Sequence, residues 1–171
     1  HLAGEINKHG YEPQIIDCFG LNPHKRRIIN DLMLLGVDEN FVVENLSSNI
    51  KIVFLYCRTI EDFISTERIA KEIKEKKPHI KLIFFENNQT VNSFALEKLA
   101  PEILTRQGDL TVFGEPEDRV KNLLSYFFEK NVDINLIKGV AYLDKNSKMK
   151  FNEKSPFSKD LDNFSFPYWE K

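Results

Sequence analysis

Cysteine is scarce in this sequence of 171 residues, which contains only Cys18 and Cys57. Two cysteines are too few for a disulfide framework or a zinc knuckle. Each of the two is expected to be a small, buried apolar side chain. The low cysteine content therefore predicts a reducing, cytoplasmic setting.

An excess of charge of one sign is also missing, because 24 Lys and Arg residues accompany 26 Asp and Glu residues. The two signs are interleaved along the chain, as is typical of solvated helix faces. No apolar run is long enough to cross a lipid bilayer. Neither a nucleic acid nor a membrane is therefore expected as a partner.

The sequence lacks the motifs of several common enzyme folds. It has no Gly-x-Gly-x-x-Gly segment after a strand, no Gly-Lys-Ser/Thr loop and no Gly-x-Ser-x-Gly elbow. These absences argue against a phosphate-binding loop and against an α/β-hydrolase nucleophile. Asp17, His24 and His79 are predicted to be capping or surface residues. A pair between Cys57 and His79 is not expected, because the two residues lie at opposite ends of a predicted sheet.

What the sequence does contain is a regular alternation of apolar runs and amphipathic segments. Four apolar runs predict buried strands, at residues 13–17, 50–56, 80–85 and 110–113. Helices are predicted at residues 2–8, 23–35, 59–77 and 94–99, after Asp38 and after Pro116. Repeated strand–helix units predict an α/β fold with an open, doubly wound (Rossmann/flavodoxin-like) parallel sheet and helices on both faces.

The helix after Pro116 carries an apolar stripe at helical spacing. The stripe consists of Val120, Leu123, Leu124, Phe127 and Phe128. We expect it to be buried against the sheet.

The two ends of the chain differ from this alternation. The apolar runs 139–143 and 149–151 flank Asp144-Lys145-Asn146-Ser147, which predicts a β-hairpin. The residues after the hairpin show no helical or strand period and are predicted to form an irregular exit segment. Residues 1–137 are therefore assigned to the α/β domain, and residues 138–171 to a hairpin and linker. Because a doubly wound domain usually opens with a strand, the first strand is expected upstream of Leu2.

In open α/β sheets, ligands bind beyond the carboxyl ends of the strands. This rule selects the loops at residues 18–21, 57–59, 86–90 and 114–117. Arg58 has two readings, because a guanidinium at a strand end holds an anion or forms an ion pair with Glu61 or Asp62.

The order of several segments resembles the N-terminal cobalamin-binding domain of radical S-adenosylmethionine enzymes. The segments are LAGEINKHGYEPQIID, IAKEIKEKKPHIKLIFF, GDLTVFGEPEDRVKNLL, IKGVAYLDKNSKMKFNEK and LDNFSFPYW. The resemblance covers most of the chain from Leu2 to Pro167. It implies that the chain presents, or once presented, a corrinoid to a downstream catalytic barrel of the same polypeptide. The iron–sulfur cluster and S-adenosylmethionine would belong to that barrel alone, because Cys18 and Cys57 cannot hold the cluster.

The resemblance also implies a set of cobalamin-contacting residues in the strand-end loops. These are Cys57, Arg58, Thr59, Glu86, Asn87, Asn88, Gly114 and Glu115. The family commonly has Gly-Gly where this chain has Phe85-Glu86-Asn87-Asn88, and this difference predicts weak or no cobalamin binding. No histidine is predicted as a cobalt ligand. Two alternatives remain open: a degenerate domain that serves as a docking or substrate-recognition module, and a flavodoxin-like or receiver-like domain.

Overall fold

The computed structural model describes residues 1–57, 59–86, 96–154 and 161–168. The described residues contain six α-helices, which are α1 (Leu2–Lys8), α2 (Cys18–Leu21), α3 (Glu39–Asn45), α4 (Ile60–Lys76), α5 (Leu96–Arg106) and α6 (Val120–Leu124). They contain seven strands, which are β1 (Arg26–Ile29), β2 (Leu32–Leu35), β3 (Ile52–Tyr56), β4 (Lys81–Phe85), β5 (Leu110–Val112), β6 (Val140–Leu143) and β7 (Met149–Phe151). Not one of the helices described is long and apolar enough to cross a membrane.

The central feature is a mixed sheet of five strands in the order β3-β4-β5-β6-β7. β3, β4 and β5 are parallel, whereas β6 and β7 continue the sheet in antiparallel order. Three of the four predicted parallel strands and the hairpin are therefore confirmed. The sheet as a whole is mixed rather than parallel, because β6 pairs directly with β5. The described strands follow chain order, and the architecture is consistent with a Rossmann-like fold.

The two faces of the sheet are covered by different helices, as the sequence predicted. Leu82 and Phe84 point to one face and are completely buried in a cluster with residues of α4 and α5. Ile83 points to the opposite face and packs with Leu123 of α6. Full burial of such a side chain stabilises the fold by about 1.5–3 kcal/mol. β4 contributes buried side chains to both faces of the sheet and therefore to both halves of the core.

The predicted helix at residues 23–35 is wrong, because this segment forms the antiparallel hairpin β1–β2. Asn30 and Asp31 join the two strands and have φ angles of 49° and 64°. Asn and Asp tolerate this left-handed conformation, which the two-residue turns of β-hairpins require. The Asn-Asp pair between two apolar runs was therefore the stronger signal, and the helical spacing of the apolar residues was misleading.

The predicted strand at residues 13–17 is also wrong. Residues 11–17 contain no described helix, strand or turn, and no described strand pairs with them. Ile16 nevertheless packs against the same core cluster as Val53 of β3. An apolar segment becomes a strand only where another backbone offers hydrogen bonds, and no such partner is described beside residues 13–17.

Two predicted helix starts, at Asp38 and Thr59, are confirmed by their capping hydrogen bonds. The Thr59 side chain accepts from the Asp62 N–H and the Asp62 side chain accepts from the Thr59 N–H, which together form a capping box. Asp38 caps α3, and Asp17 caps α2 by accepting from two backbone N–H groups. These short polar side chains explain where the chain changes to helix.

The helical run after Pro116 differs from the single helix predicted there. It consists of a 3₁₀ turn (Glu117–Arg119), α6 and a π-helical turn (Ser125–Glu129). Val120, Leu123 and Leu124 are buried as predicted, but Phe127 and Phe128 are only half-buried. Phe127 still packs against the core cluster that contains Ile83 and Leu123, whereas the Phe128 ring stacks on Tyr11 at 5.0 Å.

The exit segment lies against α1 in the part that the structure describes. The Glu5 carboxylate accepts a hydrogen bond from the Ser165 N–H, and the His1 ring and the Lys8 ammonium contact the carbonyls of Ser165 and Asn163. A Cβ atom at Gly4 would collide with the Phe166 carbonyl. The docking of this segment therefore requires glycine at position 4.

Candidate functional site

The carboxyl ends of the three parallel strands meet at one edge of the sheet. The register aligns Tyr56 of β3 with Phe85 of β4, and Phe85 with Val112 of β5. The loops that begin at Cys57, Glu86 and Phe113 are therefore neighbours, as the sequence predicted. The loop at residues 18–21 instead forms α2 and lies beside the β1–β2 hairpin, because the Val37 N–H donates to the Cys18 carbonyl.

Cys57 is buried at the end of β3 and is fully inaccessible to solvent. Its backbone N–H donates to the Phe85 carbonyl, with a separation of 2.9 Å. Burial raises the pKa of the Cys57 thiol to about 12, and the charges of Asp62 and Glu86 raise it further in the same direction. The thiol is therefore protonated at neutral pH and acts as the apolar side chain that the sequence predicted.

The loop after Cys57 begins α4. Thr59 is half-buried, and its side chain is used in the capping box with Asp62. Arg58 lies outside the described residues, so both readings of its role stay open. Thr59 thus stabilises the helix start, and its hydroxyl is already engaged within the protein.

Glu86 is buried at the end of β4, with an exposed fraction of 7%. Its Oε2 atom accepts from the Leu96 N–H at 2.9 Å, at the first turn of α5. Burial raises the pKa of the Glu86 carboxyl, whereas the hydrogen bond from Leu96 lowers it; the net shift is upward. Asn87 and Asn88 lie outside the described residues.

Gly114 follows β5 and has a φ angle of 79°, which disfavours any residue with a Cβ atom. Gly114 is buried, and Glu115 is half-buried. Both residues are at the predicted edge, and the glycine there lets the backbone turn closely.

Arg119 is a buried residue of this loop that the sequence reasoning missed. Arg119 has an exposed fraction of 5%, and its Nη1 group donates to the Phe113 carbonyl at 2.8 Å, while its Nε atom has no hydrogen-bond partner among the described residues. Burial lowers the pKa of Arg119, and the neighbouring Asp118, Glu115 and Glu117 act in the opposite direction. Arg119 thus stabilises the turn at Gly114 through a hydrogen bond from the protein interior.

A pair of aromatic side chains at the same edge was also missed. The rings of Tyr56 and Phe85 have centroids 5.1 Å apart and are tilted by 35°. Tyr56 is 43% exposed, and Phe85 is half-buried. The side chains of Phe85 and Glu86 lie on opposite faces of the sheet, because Phe85 packs with the cluster of Ile83 and Leu123, whereas Glu86 contacts the N–H of Leu96 in the other cluster. The signal in the sequence that could have predicted this pair was an aromatic residue at the end of each of the two adjacent strands.

The edge has the chemistry to hold the apolar part of a corrinoid. The Tyr56–Phe85 pair offers an exposed apolar surface, and the backbone turn at Gly114 allows close approach of a large ligand. Across the described ranges, no cluster of three or more His, Cys, Asp or Glu residues is placed to hold a metal ion.

Comparisons with known proteins bear on the fold. No protein-family model matches the chain, and no curated protein matches it. Among solved structures, the fold is similar to part of a cobalamin-dependent radical enzyme. That protein is the apo, selenomethionine-labelled S-adenosylmethionine radical enzyme OxsB, matched with a TM-score of 0.53 and 20% sequence identity. The match covers 71% of this chain but only 16% of OxsB, so it supports a shared fold over a small part of that enzyme.

Proposed function

We propose that this chain is a cobalamin-binding-like domain of a radical S-adenosylmethionine enzyme. The observation that carries the proposal is the likeness of its fold to part of a cobalamin-dependent enzyme of that class. The carboxyl edge of β3, β4 and β5 is the face that it presents to the corrinoid. Tyr56 and the backbone at Gly114 are the described groups that would contact the ligand.

The chain would supply binding and orientation, and the corrinoid would supply methyl transfer or assistance to radical chemistry. The catalytic barrel, with its iron–sulfur cluster and S-adenosylmethionine, is proposed to be a downstream domain of the same polypeptide. A site at the strand ends suits this role because the ligand would lie outside the sheet, where a second domain can reach it.

The Glu86 side chain affects whether the altered loop at the end of β4 leaves room for a ligand. Its carboxylate is directed into the protein and satisfies the Leu96 N–H, so it does not stand as an unpaired charge in a ligand slot. Phe85 is the side chain that faces the opposite side of the sheet, beside Tyr56. The remaining obstacle to a ligand is therefore the bulk of Phe85 rather than the charge of Glu86.

The test is to incubate the chain with hydroxocobalamin, desalt it and record the visible spectrum. The proposal expects retained corrinoid, and Tyr56→Ala should weaken its binding about tenfold through loss of aromatic contact. Phe166→Ala is the matched control, because Phe166 is an exposed aromatic residue of the exit segment beside α1. No retention by the wild type, or equal weakening by both variants, would contradict the proposal.

A second candidate is a degenerate domain of the same fold that acts as a docking or substrate-recognition module. It is favoured by the fact that Cys57, Thr59 and Glu86 are all engaged in internal packing or helix caps. Phe85→Gly separates the two candidates when the wild type retains no corrinoid. Retention by this variant would show that a slot exists and is blocked, and no retention by either protein would support the docking module.

A further inference from the structure

The β1–β2 hairpin packs on the protein with one face and leaves the other face open. On the packed side, Leu34 is buried, and Arg27 and Ile29 are half-buried. Because side chains alternate along a strand, the residues between them share the opposite side, and all of them are exposed. The four side chains of this outer face are Arg26, Ile28, Met33 and Leu35.

The outer face is mostly apolar. Ile28 is 78% exposed and Met33 is 59% exposed, and the register places the two directly opposite each other. Leu35 is exposed as well and pairs with Arg26 in the neighbouring row. The solvated face of an antiparallel hairpin is normally polar. A contiguous apolar face in its place indicates an interaction site.

The packed side holds the hairpin firmly against α3. The Arg27 guanidinium donates to the Glu39 carboxylate at 2.7 Å, and the Lys25 ammonium donates to the Asp38 carboxylate. A two-stranded hairpin by itself is only marginally stable in water, so these contacts fix its position. The outer face is therefore presented in one orientation, which lowers the cost of ordering it on binding.

Each end of the outer face carries a charge. Arg26 lies two residues before Ile28, and Asp31 lies in the turn, two residues before Met33. Among the described residues, neither of these two side chains has an ion-pair partner. At the rise of an extended strand, the two charges are about 13 Å apart along the hairpin, with the Ile28–Met33 pair midway between them.

This arrangement is complementary to itself. Two hairpins can face each other across a two-fold axis that is perpendicular to the strands and level with the Ile28–Met33 pair. The strands of the two copies then run in opposite directions, so that the base of each hairpin lies over the turn of the other. Arg26 of one copy faces Asp31 of the other, and symmetry repeats this contact at the opposite end.

We propose that the outer face of the β1–β2 hairpin binds a second copy of this chain in a two-fold symmetric dimer. Ile28 and Met33 form its apolar centre, and the two Arg26–Asp31 pairs form its polar rim. The face is smaller than the roughly 800 Å² per partner of a standard interface, so the dimer is weak and reversible. We expect a dissociation constant of about 10–100 µM.

The distribution of charge favours a second copy over other occupants. An anionic membrane surface attracts clusters of free Lys and Arg side chains. In the described part of the chain, however, Lys25 and Arg27 are paired with Asp38 and Glu39, which leaves Arg26 alone. An acidic protein segment would attract Arg26 but be repelled by Asp31. A second copy satisfies both charges at once.

Sedimentation velocity of the full-length encoded protein over a concentration series tests the proposal. We expect a reversible change from monomer to dimer. Met33→Asp brings two carboxylates together near the axis and should weaken association at least about a hundredfold. Leu136→Asp is the matched control, because Leu136 is an apolar residue that is 76% exposed in a different element. Equal weakening by both variants would contradict the proposal.

Two charge reversals test the ion pairs between copies. Arg26→Asp or Asp31→Lys alone places like charges together at both ends of the dimer and should weaken association at least about tenfold. An equimolar mixture of the two variants restores opposite charges at both ends, so it should associate within about threefold of the wild type. Lysine is compatible with the left-handed turn, since Lys130 has a φ angle of 56° in this chain.

A wild-type protein that stays monomeric up to about 1 mM would overturn the proposal. A mixture that associates no better than either variant would overturn it as well, because Arg26 and Asp31 would then not meet between copies.

Oxidation of Met33 by hydrogen peroxide, measured against Met149, distinguishes the possible occupants. In the proposed dimer, Met33 should oxidise more slowly as the protein concentration rises. Protection of Met33 in a monomer would show that another part of the polypeptide covers the hairpin, and protection that requires anionic vesicles would show a lipid contact. Either result would overturn the proposal. Cobalamin retention is measured separately, so the dimer and the proposed ligand can each fail without the other.

Discussion

The Glu86 carboxylate accepts a hydrogen bond from the backbone N–H of Leu96, with 2.9 Å between Oε2 and N. This contact joins the end of β4 to Leu96, the first described residue of α5. The N–H groups in the first turn of a helix have no partner within the helix, so a buried helix start requires such an acceptor. The residue expected to contact a ligand therefore has a structural role.

Replacing Glu86 tests this role. Glu86→Ala leaves the buried Leu96 N–H without an acceptor and should lower the unfolding free energy by about 1–3 kcal/mol. Glu86→Gln keeps an oxygen acceptor and should cost less. Urea denaturation of both variants measures the difference, with Glu102→Gln on the exposed side of α5 as the control. Equal stability of the Ala and Gln variants would show that the hydrogen bond contributes nothing.

The raised pKa of Glu86 predicts a pH dependence of stability. Burial is the main cause, and it raises the pKa above 4.5, the value taken for the unfolded chain. The folded state therefore binds this proton more tightly, and the unfolding free energy should fall as the pH rises from about 4.5 through the folded pKa. Glu86→Gln should remove this part of the slope. A slope that is the same in wild type and variant would contradict the assignment.

The stabilising contribution of Asp109 should have the opposite pH dependence to that of Glu86. Burial raises its pKa, but hydrogen bonds from Lys74, Lys81 and the Leu82 N–H outweigh that effect, so the net pKa is lowered from 3.8. Its stabilising contribution is thus present above about pH 3.8 and is lost as the pH falls through the folded pKa. Asp109→Asn should cost about 1.5–3 kcal/mol at neutral pH, and much less in acid.

Denaturation of Asp109→Asn at pH 7 and in acid measures this difference. Lys71→Ala is a suitable control, because the exposed Lys71–Glu75 pair is 3.8 Å apart and should contribute little. An Asp109→Asn cost that does not change with pH would show that the charge of Asp109 is unimportant.

The residues of the apolar stripe after Pro116 should contribute unequally to the unfolding free energy. Leu123 is completely buried, so Leu123→Ala should cost about 2–5 kcal/mol. Phe127 is only half-buried, so Phe127→Ala should cost less despite removing more atoms. Chemical denaturation of the two variants gives the ranking. A larger loss for Phe127→Ala would show that its contacts with the core cluster outweigh its partial exposure.

The two thiols should react at different rates. Cys57 is inaccessible and has a pKa of about 12, whereas Cys18 is half-exposed, with a pKa that burial and the Asp17 charge raise. Because the thiolate is the reactive form, iodoacetamide should modify Cys18 first in the native protein, and Cys57 only on unfolding. Mass spectrometry of peptides after short labelling measures both rates. Labelling of Cys57 as fast as Cys18 would contradict the buried position.

The sequence alone determined those elements whose signals are local. Thr59 and Asp62 specify the start of α4 by themselves, because the capping box is formed by residues within one helical turn. The apolar run 82–85 within β4 predicted a buried strand, because side chains that helices cover on both faces of a sheet are apolar. The loops at Cys57, Glu86 and Gly114 were correctly assigned to one edge, since parallel strands end on the same side.

Only the tertiary structure decided features that depend on distant partners. Residues 13–17 have the composition of a strand, but strand formation requires a neighbouring backbone that the segment itself does not contain. The side chain of Glu86 was expected at the ligand edge, and it turns inward because the Leu96 N–H, ten residues away, needs an acceptor. Phe127 packs against the core cluster but stays half-buried, in a π-helical turn that no residue spacing predicts. Local chemistry thus fixes where elements begin, whereas pairing and burial depend on what the rest of the chain brings beside them.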